Sequence, residues 1–61
     1  MNAEQLAAGK ALLKAGKVLL ALVEANAGSR HPEPRLELAI ERAAEGTQQA
    51  LDRVADSYAN Q

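Results

Sequence analysis

Two glycine–lysine pairs, Gly9-Lys10 and Gly16-Lys17, are the residues that most suggest chemistry in this chain. In a phosphate-binding loop such a pair works because a glycine-rich turn cradles the phosphates with backbone N–H groups while the lysine reaches them. That geometry also needs a glycine five residues before the pair and a Ser or Thr directly after it. Here those places hold Glu4 and Ala11 for the first pair, and Ala11 and Val18 for the second, so no nucleotide cradle is expected. Glu37, Glu41 and Glu45 recur at a four-residue spacing that stacks them on one helix ridge, where carboxylates can hold a cation or share acid–base work. Di-metal bundle sites add a Glu-x-x-His spacing, which is absent, so the ridge reads as a solvated acidic face. His31 is the single histidine, beside Pro32, with no Ser, Cys or carboxylate cluster to orient it, and it reads as a solvated loop or N-cap residue. No residue set forms a catalytic, cofactor or metal signature, and the expectation is a chain that is not an enzyme.

The elements that carry these residues are expected to be two helices. Asn2 suits an N-cap and Gln5, three residues later, completes a capping box. The stretch AGSRHPEP is the one break: Gly28 suits the left-handed position after a helix, and a following proline cannot continue it. Pro32 or Pro34 can occupy the first turn of a second helix, with Glu33 and Glu37 favouring the positive end of its dipole. The reading is helix 1 over about 3–27, a loop over about 28–33 and helix 2 over about 34–59, an all-α antiparallel hairpin whose helices are each roughly 37 Å long.

Helix 1 carries more apolar surface than one neighbour can cover. At 100° per residue, helix 2 has a single stripe of Leu36, Ile40, Ala43, Ala44, Thr47, Ala50, Leu51, Val54 and Tyr58. Helix 1 confines Lys10, Lys14, Lys17 and Glu24 to a narrow strip and gives the rest to two seams. One is Leu6, Gly9, Leu13, Gly16, Leu20 and Val23, with the 3-4 heptad rhythm of a coiled coil; the other runs through Ala8, Leu12, Ala15, Leu19 and Leu22. If one seam meets helix 2, the other needs a second partner, since exposed leucines each forfeit roughly 1.5 to 3 kcal/mol of burial. Gly9 and Gly16 repeat within the near-duplicate AGKALLK AGKVLLA, and each costs a helix interior roughly 1 kcal/mol against alanine. Their expected use is close approach, with the Ala43/Ala50 stretch of helix 2 a candidate neighbour. The hairpin register also brings Lys17 and Lys14 level with Glu41 and Glu45, and Lys10 with Asp52, giving either exposed pairs that set register or simply solvated faces.

Composition narrows the function classes. A chain of 61 residues is one domain at most and its lone core is marginal. There is no cysteine for disulfides or thiolate metal sites, which leaves oligomerisation as the source of stability. Seven Lys and Arg against eight Asp and Glu, net −1, give no footprint for nucleic acid. The opening MNAEQLAAGK does not read as a secretory signal, and the longest apolar run, Val18 to Val23, is six residues against the roughly 20 of a membrane span. A soluble chain is expected, its compartment unknown and cytoplasmic only by default. A lysine-strip helix rich in Leu and Ala is also reminiscent of an interfacial helix, but an acidic helix 2 opposes anionic lipid, so no membrane partner is expected.

The repeated AGK-apolar-Leu-Leu unit, the matched helices, the loop SRHPEP and the run RLELAIERAAEG resemble a de novo designed helical hairpin made to self-assemble, and the likeness covers the whole chain. A weaker resemblance is to type III secretion needle subunits, hairpins with a proline-bearing turn that polymerise. The first resemblance implies an assembling multi-helix bundle. The expected activity is self-assembly into a closed symmetric homo-oligomer, a dimer or a cyclic trimer to hexamer, with no cofactor and with Gly9, Leu12, Leu13, Gly16, Leu19, Leu20, Leu22 and Val23 at the interface. The alternative is a natural interaction module that binds a partner helix in its open seam, or polymerises.

Overall fold

The computed structural model describes residues 2–31 and 33–59. They form two α-helices, α1 (Ala3–Ala27) and α2 (Pro34–Ala59), with no strand among the described residues. The start of α1 is closed by the capping box: Asn2 Oδ1 accepts from the Gln5 N–H at 2.8 Å, and Gln5 Oε1 accepts from the Asn2 N–H at 3.2 Å. Two of the four otherwise unpaired donors of the first turn are thereby used.

The far end of α1 differs from expectation. Gly28 has φ −81° and ψ −8°, right-handed helical values, so the helix does not end on a left-handed glycine. Instead the Gly28 N–H still donates to Glu24 O at 3.1 Å, and Ser29 N–H reaches back to Asn26 O, so the last turn tightens before the chain leaves. Ser29 Oγ then donates to the His31 carbonyl, which fixes the loop locally. Of the two prolines, Pro34 opens α2, where its missing N–H costs nothing, and the Glu33 carbonyl accepts from the N–H groups of Leu36 and Glu37. The alternative start at Pro32 lies outside the described residues.

The helices pack along their whole length as an antiparallel hairpin, a rod of 47 × 14 × 11 Å. From α1 the row Gln5, Ala8, Leu12, Ala15, Leu19, Leu22 and Asn26 is buried or half-buried, so α2 is met by the second of the two seams. From α2 the matching row is Leu36, Ile40, Ala43, Thr47, Ala50, Val54 and Ser57, joined by Ala39. Shared grooves in which Ala15 adjoins Gly46 and Leu22 adjoins Ala39 set the register. In that register Leu12 comes level with Ala50 and Leu19 with Ala43, so large side chains meet small ones and the axes can approach. This is the physical reason the Leu12–Leu19 seam wins the intramolecular contact. Ala44, Leu51 and Tyr58, expected in the α2 stripe, are exposed instead.

Two helices cannot enclose a core. Ala8 is the one fully buried hydrophobic residue among those described, and no large side chain is fully buried. The other tightly covered residues are polar: Ser57, whose Oγ donates to Val54 O, and Gln5. Thr47, half-buried in the middle of α2, donates its hydroxyl to Ala43 O at 2.7 Å, so it is satisfied within its own helix and asks for no partner across the interface.

Candidate assembly surface

The hairpin has two long lateral sides, and they differ. On one, α1 presents Leu6, Gly9, Leu13, Gly16, Leu20 and Val23, a row lying about 100° around the helix from the row that meets α2. Leu6 is 48% exposed, Leu13 61%, Leu20 58% and Val23 45%, while Gly16 is half-buried and Gly9 exposed. The α2 residues on this side are Glu37, Ala44, Leu51 and Tyr58, seven apart and so on one ridge, with Leu51 48% and Tyr58 50% exposed and the charged Glu37 at the loop end. A groove lined by Gln5, Leu6, Gly9, Lys10, Leu13, Val54 and Tyr58 joins the two contributions into one apolar face. Of the eight residues expected at an interface between copies, Gly9, Leu13, Gly16, Leu20 and Val23 lie together on this face. Leu12, Leu19 and Leu22 are half-buried in the row that meets α2.

The expected close approach of Gly9 and Gly16 to Ala43 and Ala50 is not made. A Cβ added at either glycine would meet nothing within 4 Å, because both point to the side of the hairpin and not across it. The groove beside Ala43 is formed by Ala11, Lys14, Ala15, Val18 and Gly46 on the opposite side. Gly46 is a third helical glycine with open space at its Cβ, and sequence reasoning passed over it because it falls outside the repeated AGK unit.

The expected pairs of lysines with acids do not form within the hairpin either. Lys10, Lys14 and Lys17 line an outer surface of α1 with Leu13 and Val18, and the α2 residues that share grooves with Lys10 and Lys14 are Val54, Tyr58, Ala43 and Gly46, none of them acidic. Glu41, Glu45 and Asp52 are exposed, and at 100° per residue they fall on the outer back of α2. The residues are level, yet they face away from each other. Side-chain hydrogen bonds among the described residues are all local, the remaining one joining Gln48 Nε2 to Asp52 Oδ1 at 3.0 Å.

The second lateral side is basic. Its grooves are lined by Lys14, Arg35 and Arg42 among Val18, Leu22, Leu38, Ala39 and Gly46. Arg53 falls on the same ridge of α2. The seven-residue spacing of Arg35 and Arg42 places them on one line, a signal legible in the sequence. Among the described residues one buried side-chain polar atom has no partner: Gln5 Nε2, behind the groove of the apolar side.

No group of three or more His, Cys, Asp or Glu able to hold a metal occurs among the described residues, where Glu37, Glu41 and Glu45 stand exposed and His31 is a loop residue. No described helix is long and apolar enough to cross a membrane. No family model matches the chain, and no curated protein or solved structure matches it. What the molecule defines is a class by shape: a two-helix hairpin with exposed apolar residues concentrated on one side and mixed with basic residues on the other.

Proposed function

We propose that this hairpin is an assembly unit whose activity is to associate with copies of itself into a closed symmetric homo-oligomer. The observation that carries the reading is the continuous apolar face of Leu6, Leu13, Leu20, Val23, Leu51 and Tyr58 on a molecule whose buried hydrophobic core is Ala8; the other side exposes only Val18 and Leu38 as large apolar residues, set among Lys14, Arg35 and Arg42. Surface area supports it. The accessible surface is 4825 Å², whereas a folded monomer of 6.4 kDa is expected to expose about 3,800 Å². The surplus of about 1,000 Å² is close to the roughly 800 Å² that each partner loses in a standard interface. The glycines fit the same reading, since Gly9 and Gly16 lie in the middle of the open row, where a missing side chain makes a hole for a neighbour's. The resemblance to designed self-assembling hairpins points the same way.

The test is mass in solution, by light scattering behind size exclusion at two concentrations a hundredfold apart. A single fixed multiple of 6.4 kDa at both is the expected result and gives the copy number. A folded monomer at both would overturn self-assembly and favour the other reading, a module whose open groove between Leu6, Leu13 and Tyr58 receives another protein's helix.

A further inference from the structure

We infer that the occupant of the apolar side is a second copy docked about a two-fold axis parallel to the helices, so that both loops lie at one end and α1 of each copy lies against α2 of the other. This rests on the self-assembly reading and adds to it the partner's orientation. The inference comes from the charges that flank the face. Lys10 and Lys17 each follow a glycine of the open row, and so form its outer edge on α1. Glu45 and Asp52 each follow a member of the α2 ridge, Ala44 and Leu51, and form the outer edge there.

Within one hairpin, Lys10 is level with Asp52 and Lys17 with Glu45, but on opposite outer surfaces. A two-fold parallel to the helices keeps every level and exchanges the edges. Lys10 then stands beside the partner's Asp52 and Lys17 beside the partner's Glu45, and symmetry repeats both pairs. The same operation seats the partner's Leu51 in the hole between Leu6, Gly9 and Leu13, and the partner's Ala44 in the hole between Leu13, Gly16 and Leu20. A large knob meets the first glycine and a small one the second.

The competing two-fold, which turns the second copy end for end, fails on the same residues. It lays α1 on α1, bringing Lys10 level with the partner's Lys17, and lays α2 on α2, bringing Glu45 level with the partner's Asp52. In that register each of these pairs is of like charge, which disfavours docking there, and a slide that brings Lys10 level with the partner's Glu24 still sets Glu45 against the partner's Glu45. Pairing through the other lateral side, where Val18 and Leu38 are exposed, is disfavoured as well, because it sets Lys14, Arg35 and Arg42 of the two copies against each other.

Loop-to-loop distance separates the two arrangements. The chain has no cysteine, so Arg30→Cys in the exposed loop accepts a single nitroxide label, and double electron–electron resonance is read on a sample whose mass is measured in parallel. The expected result is a dimer with loops within about 30 Å of each other, against more than roughly 37 Å, a helix length, for end-for-end docking. A dimer with only the long distance overturns the orientation and leaves self-assembly standing, whereas a monomer overturns both. An independent check is charge exchange: Lys10→Glu with Lys17→Glu is expected to weaken dimerisation at least about tenfold at low salt, and adding Glu45→Lys with Asp52→Lys to restore it. Weakening that the second pair of changes does not restore would overturn the pairing.

Discussion

Asn2 and Gln5 exchange hydrogen bonds at the start of α1, and the arrangement has a measurable worth. Asn2→Ala is expected to cost about 1 kcal/mol. In a chain of this size that lowers the thermal midpoint by roughly 4 to 8 °C, read by circular dichroism. Gln5 shows the tension in the same motif: its Oε1 completes the cap while Nε2 stays buried and unpaired, a state that costs roughly 1 to 3 kcal/mol. Thr47 resolves the same problem locally by donating to Ala43 O, so a polar residue can sit midway along the helix contact without dictating a partner.

At the scale of the element, the helical glycines distinguish propensity from packing. All three of Gly9, Gly16 and Gly46 have open space at the Cβ position of the single hairpin, so each is a helix-weakening residue with no intramolecular return. Gly46→Ala is expected to stabilise by about 1 kcal/mol with unchanged mass, because it lies on the basic side. Gly9→Leu with Gly16→Leu fills the holes of the open row and is expected to change or abolish the oligomer while leaving helix content intact; an unaltered mass would sink the packing argument. The sequence made the helices legible because their limits rest on local chemistry, the Asn2 cap and the Pro34 start. It left open which seam meets α2, since both have heptad spacing and the choice depends on Leu12 and Leu19 coming level with Ala50 and Ala43. The choice between ion pairs and solvated faces was open for a related reason. A register argument fixes levels along the rod, but says nothing of the direction in which Lys17 or Glu45 points around it. The left-handed ending at Gly28 failed because the last turn tightened instead, a choice that glycine permits and does not dictate.

At the scale of the whole molecule, the radius of gyration of 14.1 Å exceeds the roughly 10.5 Å of a compact domain of this length. With Ala8 as its buried hydrophobic core, a rod of two helices is expected to be marginal alone, so folding and association are expected to be linked. The thermal midpoint should therefore rise with protein concentration, checked by calorimetry over a hundredfold range. A midpoint independent of concentration would mean that the hairpin stands by itself. The arginine row then takes on a role in where growth stops. A pair joined through the apolar side turns Arg35, Arg42 and Lys14 of both members outward. In the proposed pair, a third hairpin arriving at either outer surface would meet like charge, and the basic rows are expected to stop growth short of an open-ended fibre.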